Sequence, residues 1–462
     1  MRRSALIGLM LAACAPETPR GPARAVVLVT CDTLRADRLG CYGYERPTSP
    51  NLDAFARECV VFDSAYACAP MTLPALSSLM TGRMPSEVGA VPGNTSLVPA
   101  EVETLAERLS AAGVTTGAVV SNWLLRRQSE SPDAGLPQGF DAFDDTMTTR
   151  ERNRPMFERL APDTTDAALA WLERNGSRRP WFLWVHYQDP HGPYKPPEEL
   201  AQLFDAEVPA GPELKVGKGP SGLGRIPRYQ ALGEERRAGV YRDRYDAEIR
   251  LFDRELGRLL DALRENGLDD ALVIVSADHG ESLGEHGWWF CHGETLQREL
   301  VRVPLIVRYP RGVPGPGVRG PDGISRCTLP ASHLDLWPTV LEALGVEDPG
   351  SSGLSLLGEL PLERVLQQEL IPHPGHAAWR AAFDGRWRLV LREGSAPELY
   401  DLALDPGELR DLAAAEPERV KSLLARIQEE RAAGAVRGKP LPSGPQTEEA
   451  LRRLGYVGGD GH

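Results

Sequence analysis

Residues 272–281 read LVIVSADHGE. Five β-prone residues run into a small polar cluster and stop at Asp278-His279-Gly280. The pattern predicts a buried strand that delivers a carboxylate and an imidazole to its carboxyl end. In open α/β sheets that end is where ligands bind. An Asp beside a His, followed by a Gly that lets the backbone turn, suits a cation such as Ca²⁺ or Zn²⁺. An ordinary strand-to-loop transition gives the same local sequence, so the decision rests on what else in the chain points to this place.

Two further apolar runs behave alike. Ala25–Thr30, AVVLVT, ends at Cys31-Asp32-Thr33. Trp181–Tyr187, WFLWVHY, ends at Gln188-Asp189-Pro190-His191-Gly192-Pro193-Tyr194. Continuous apolar runs of this kind are strands buried on both faces of a parallel sheet. Helical patterns lie between them: a short one from Pro50 to about Glu58, then Glu101–Ala112, Asp163–Arg174 and Tyr241–Asn266. Val114–Ser121 and Pro304–Tyr309 read as strands, and Ser332–Leu344 as a helix. The alternation predicts an α/β fold with a largely parallel central sheet covered by helices. Ala377–Arg392 alternates around an Asp384-Gly385 turn and reads as a hairpin. Residues 205–239 have no period and form a long surface excursion of the kind that serves as a lid or binding loop.

The segment Ala65–Gly82, AYACAPMTLPALSSLMTG, places Thr72 just before a helix predicted to begin at Pro74 and run to about Met80. A hydroxyl there is an N-cap or a nucleophile at an anion-binding helix start. Locally the cap is the simpler reading.

The 462 residues are 42% hydrophobic and 25% charged, with net charge −13. The acidic balance argues against nucleic acid as a partner but not against an anionic substrate beside a bound cation. Arg2 and Arg3, the apolar run Ala5–Ala13 and then Cys14 make a secretory signal, with Cys14 after Leu11-Ala12-Ala13 placed like the lipid-bearing Cys of a bacterial lipobox. The expected address is a lipid-anchored cell envelope protein, in the periplasm or on the outer membrane face, touching membrane only through that anchor. Six more cysteines show no metal-type spacing; Cys59 with Cys68 is a candidate disulfide, isolated thiols the alternative.

The segment DTLRADRLGCYG (32–43) resembles the opening motif of the bacterial sulfatases, members of the alkaline phosphatase superfamily. HYQDPHGPY (186–194), YDAEIRLFDRELGRLLDAL (245–263), the Asp-His strand and ELYDLALDPGELRDLAA (398–414) are similar to further segments of that family, so the resemblance covers nearly the whole mature chain. It implies an alkaline phosphatase-like α/β domain (22–375) and a small antiparallel α+β subdomain (376–435) ending in a helix near Pro417–Ala432, between a signal and tether (1–21) and a tail (436–462). It also implies a divalent metal, Ca²⁺ or Zn²⁺, at one site or two, held by Asp32, Asp278, His279 and Thr72. His191 and His292 would contact the transferred group, and Asn122 would stand where a substrate-binding Lys is usual. His286 has a weaker claim to the site. His186 is expected to pack against the sheet, Asp189 to orient a histidine and Asp37 to be structural.

Anchoring on Leu79-Met80-Thr81-Gly82 puts Pro74 on the family's motif Pro and Thr72 on its nucleophile, where relatives carry the Cys or Ser that becomes formylglycine. Leu76 replaces an Arg, and Thr33 replaces a second ligating Asp. Threonine in this place is typical of relatives acting on phosphorus. The resemblance therefore implies hydrolysis of a sulfate or phosphate ester, small or glycan-type, by in-line attack of a metal-activated Thr72 hydroxyl. A phosphoethanolamine-type phosphotransferase and a non-catalytic binding lipoprotein are the alternatives.

Overall fold

The computed structural model describes residues 21–429, apart from 90–93, 95–96, 129–133, 152–153, 155, 206–210 and 372–376. The signal segment with Cys14 and the 436–462 tail lie outside the described residues.

A nine-stranded sheet runs in the order Val318–Arg319, Ser325–Cys327, Val60–Phe62, Leu305–Arg308, Leu272–Ala277, Ala25–Cys31, Trp181–Tyr187, Thr115–Val120, Ala142–Asp144. The five strands from Leu272–Ala277 to Ala142–Asp144 are mutually parallel. The sequence shows why: AVVLVTC, WFLWVHY and LVIVSA are buried at every position, as strands with helices on both faces must be. Leu305–Arg308 departs from the pattern and runs antiparallel to both neighbours.

Register decides the site. Cys31 pairs with Tyr187 on one side and with Ala277 on the other. The next residues, Asp32, Gln188 and Asp278, therefore leave three adjacent strands at one height. The helix Ala238–Glu265 lies along this sheet, and its Tyr245 hydroxyl donates to the Thr33 carbonyl at 2.7 Å while accepting from the Arg35 amide at 3.1 Å. Two turns further, Asp253 accepts the amides of Asn51 (3.1 Å) and Leu52 (2.8 Å), capping the helix Pro50–Ala56.

The helix expected from Pro74 begins two residues earlier, spanning Thr72–Thr81, with Met71 as N-cap and no side-chain cap of its own. The Asn94 side chain meets the Leu73 amide at 2.8 Å instead. The Thr72 hydroxyl is thus spared the capping role that is the simplest local reading.

Four antiparallel strands, Leu366–Leu370, Trp379–Phe383, Trp387–Arg392 and Glu398–Asp401, form the small C-terminal sheet, with the helix Pro417–Glu429 against it. The expected turn sits between the middle pair, with Gly385 at φ +98°. Buried Arg388 ties the small sheet to the loop after His292: it donates to the Leu296 carbonyl, and to Glu408 of its own subdomain, each at 2.5 Å. Among the described residues no disulfide forms; Cys59 and Cys68 are both free and buried, Cys59 donating to the Phe55 carbonyl.

Gly280 turns the chain tightly enough that an added Cβ would collide with the Glu299 carbonyl. Gly280→Ala should therefore cost about 1–3 kcal/mol, read as a lowered midpoint in thermal or urea unfolding.

Candidate active site

Asp32 and Asp278 are both 0% exposed. Asp278 Oδ1 accepts the amides of His279 (2.7 Å) and Thr33 (3.1 Å). Thr33 reaches it by adopting φ +58°, a strained value for a β-branched residue. Asp32 Oδ2 accepts from the Asn122 amide at 2.6 Å, and Asn122 Oδ1 accepts the Leu124 amide at 2.9 Å. Both ends of Asn122 are thereby engaged, and what it offers the site is orientation of Asp32.

His279 Nδ1 donates to the Gly280 carbonyl at 2.9 Å, which leaves Nε2 as the lone-pair nitrogen of the neutral ring. That Nε2 lies 3.3 Å from Thr72 Oγ1, 3.5 Å from Asp278 Oδ2 and 3.8 Å from Asp32 Oδ1. The four groups named from the sequence as one cluster are brought together around one point.

His186, expected to serve packing, faces the same carboxylates from the other side. Its Nδ1 bonds Thr30 Oγ1 at 2.9 Å, and its Nε2 points at Asp32 Oδ2, 3.8 Å away. Ligand atoms of Asp32, His186 and Asp278 all lie within 4.8 Å of one another. Period-2 alternation says which face of the strand His186 occupies, but not that this face meets Asp32 at the strand's end.

Asp32 Oδ1, Asp278 Oδ2 and His186 Nε2 are buried without hydrogen-bond partners. Three orphaned lone-pair atoms converging in a sealed space fit a cation, since leaving them bare is costly. Asp32, Asp278, His279 and Thr72 would hold a divalent ion, with His186 on the second side of the carboxylates. Burial pushes Asp32 up to about 8 and Asp278 up to about 6, the neighbouring Asp32 charge adding to the latter. Burial also holds His279 and His186 down at about 4, so both are neutral donors at pH 7.

Beyond His279 the histidines continue as a row. The His292 ring centroid is 4.5 Å from that of His279 and 5.2 Å from that of His191. His191 Nδ1 donates to the Gly192 carbonyl at 2.8 Å, and its ring stacks on Tyr229 at 6.3 Å. Tyr229 belongs to the long 205–239 excursion, which packs here through buried Gln230 donating to the Phe290 carbonyl at 3.2 Å. Asp189 touches no histidine ring through the hydrogen bonds described; its carboxylate accepts the Ala161 amide at 2.9 Å and so secures the helix Ala161–Asn175.

Two residues of this region had no assigned role in the sequence. Glu281, 0% exposed, meets His292 Nδ1 at 3.1 Å and accepts from the Tyr194 hydroxyl at 2.9 Å. It ends the stretch LVIVSADHGE (272–281), and a carboxylate following a buried strand is the available signal. Arg154 donates to the Gly192 carbonyl at 3.1 Å, lies over the Tyr229 ring at 4.7 Å and pairs with Glu151. Its charge contributes to depressing both His191 and His292. It brings a cation to a site whose usual positions carry Leu76 and Asn122, from an aperiodic segment that sequence pattern cannot place. His286 is not in this row. Asp37 pairs with Arg35 at 2.6 Å, as a structural residue would.

The sulfatase family profile matches residues 24–346. The chain belongs to the sulfatase family, and is an ester hydrolase of that type. It is 28% identical to the choline-sulfatase of Rhizobium meliloti over 79% of this chain and 77% of that one. It is 23% identical to an N-acetylglucosamine-6-O-sulfatase of Bacteroides thetaiotaomicron, covering 88% and 86%. The fold is shared with the phosphonate monoester hydrolase of Agrobacterium radiobacter, at TM-score 0.69 and 22% identity over 88% of this chain and 95% of that one. Members of the family generally use a divalent metal.

The carboxylate pKa values fix how metal-free protein responds to pH. Above about pH 7.5 the histidines are essentially neutral both folded and unfolded. Asp32, and Glu281 raised to about 8 by burial, keep protons in the folded state that the unfolded state has lost. Folded protein then binds more protons, so stability falls as pH rises from about 7.5 through 8, by up to about 1.4 kcal/mol per pH unit per group. Melts of chelator-treated protein should show the fall, and a divalent ion should reverse it most strongly at the alkaline end.

Proposed function

We propose that the protein is a metal-dependent hydrolase of sulfate or phosphate esters whose nucleophile is Thr72. The observation that carries the reading is the Thr72 hydroxyl itself: buried, free of capping duty and 3.3 Å from His279 Nε2, beside two orphaned carboxylate oxygens. A divalent ion, when bound, supplies Lewis-acid stabilisation of anionic oxygen. The mixed carboxylate and imidazole donors suit a Zn²⁺-like ion better than Ca²⁺, which prefers oxygen throughout.

Thr72 Oγ1 attacks sulfur or phosphorus in line, its proton passing to the neutral histidine row, and forms the threonine ester as the bond to the leaving alcohol breaks. His191 and His292 face the transferred group and its leaving oxygen. Both rings are neutral at rest, burial being the main cause in each. An anionic substrate beside them raises their proton affinity, so a proton is held where the departing alkoxide needs it. Water then cleaves the threonine ester, releasing the anion and restoring the hydroxyl. Glu281 and Tyr194 hold His292 in place, and Asn122 holds Asp32.

Neutral histidines and an Arg154 already paired with Glu151 suit a singly charged ester: a sulfate monoester or a phosphodiester rather than a dianionic phosphate monoester. Thr72 favours phosphorus, because a plain alcohol cannot regenerate itself as an aldehyde hydrate does. The sulfated sugars and choline ester named for the relatives favour a small or glycan-type ester. The address proposed is the cell envelope, through a lipid on Cys14.

With sulfate monoester, phosphate monoester and phosphodiester assayed side by side, Thr72→Ala should lose roughly 10³-fold or more in kcat/KM, while Thr72→Ser keeps measurable turnover. Full activity in Thr72→Ala would remove the nucleophile from this reading. Cys14→Ser should release the protein from the membrane fraction in its native host.

A further inference from the structure

A second set of donors lies away from Thr72. His286 comes from the loop between the Asp-His strand and His292, Glu299 from the short helix Arg298–Val301, and Glu408 from the loop after the last strand of the C-terminal sheet. One ligand atom of each lies within 4.8 Å of the other two. Glu299 Oε1 is sealed from solvent and has no hydrogen-bond partner. Glu408 gives Oε1 to Arg388 and Oε2 to the Arg298 amide at 3.0 Å, which uses one lone pair on each oxygen and leaves one.

His286 and Glu408 both face a crevice of about 480 Å³ between the His292 loop and the C-terminal sheet, so the place is open to a hydrated ion. Burial, with the charge of Glu285 next, pushes Glu299 up to about 7, a cost that a cation beside it removes.

We infer that His286, Glu299 and Glu408 bind a second divalent cation, of the Zn²⁺ class, which ties the His292-bearing loop to the C-terminal subdomain. One imidazole and two carboxylates form a three-ligand set with room for water in the fourth position. Hydrogen bonds do not explain the convergence: the His286 ring takes part in none among the described residues. The site is separate from the Thr72 centre and does not depend on the reaction proposed there.

The test uses residues 21–462, dialysed against micromolar free Zn²⁺, with bound metal counted by mass spectrometry. Wild type should hold one more ion per chain than Glu299→Gln, and one more than His286→Ala. Asp278→Asn should lose ions independently of these two. The Zn²⁺-induced rise in melting temperature should shrink in Glu299→Gln. Glu299→Gln is isosteric, so its count decides if His286→Ala misfolds by circular dichroism. A folded Glu299→Gln that keeps the full wild-type count overturns the site, as does a wild type whose every ion is lost with Asp278→Asn.

Discussion

Two carboxylates, Asp32 and Asp278, emerge side by side from adjacent parallel strands and are wholly removed from water. Each has one oxygen satisfied by hydrogen bonds and one left bare. Burying such a pair is expensive unless protons or a cation neutralise it. Much of the surrounding architecture exists to hold that costly arrangement. Thr33 accepts a strained backbone to donate to Asp278, Asn122 spends its whole amide on Asp32, and Tyr245 reaches from a long helix to pin the turn between strand and loop.

The same constraint orders the histidines. His279 and His186 stand on opposite sides of the carboxylates, each with Nδ1 tied to a neighbour and Nε2 turned toward them. His292 and His191 extend outward, away from the negative charge and toward Arg154 and Tyr229. On the proposed reading, the gradient runs from a centre that would hold a cation to a rim that would meet an anion. The proposed ester would lie across it, its transferred group at the first and its leaving oxygen at the second.

The C-terminal sheet contributes to this from a distance. Arg388, fully buried, fastens it to Leu296 and Glu408, and Leu296 lies four residues after His292. The position of His292 is therefore coupled to a subdomain that supplies none of the residues around Thr72.

What the sequence determined by itself was the skeleton of the site. Three apolar runs, each long enough for one strand and each ending in a polar residue, specify buried parallel strands and hence a common end for Asp32, Asp278 and the His191 loop; the alternation with helices specifies the layers. These are properties of local pattern, readable because burial on two faces demands continuous apolar sequence. Tertiary structure alone decided the rest. It turned His186 from packing to the carboxylates, freed Thr72 from capping by supplying Asn94, committed Asn122 to Asp32, and carried Glu281 and Arg154 to the histidine row. It also kept Cys59 and Cys68 apart. Each of these depends on which side chain meets which across separations of tens to hundreds of residues. Register and loop path set those meetings, and neither is written in the period of any single segment.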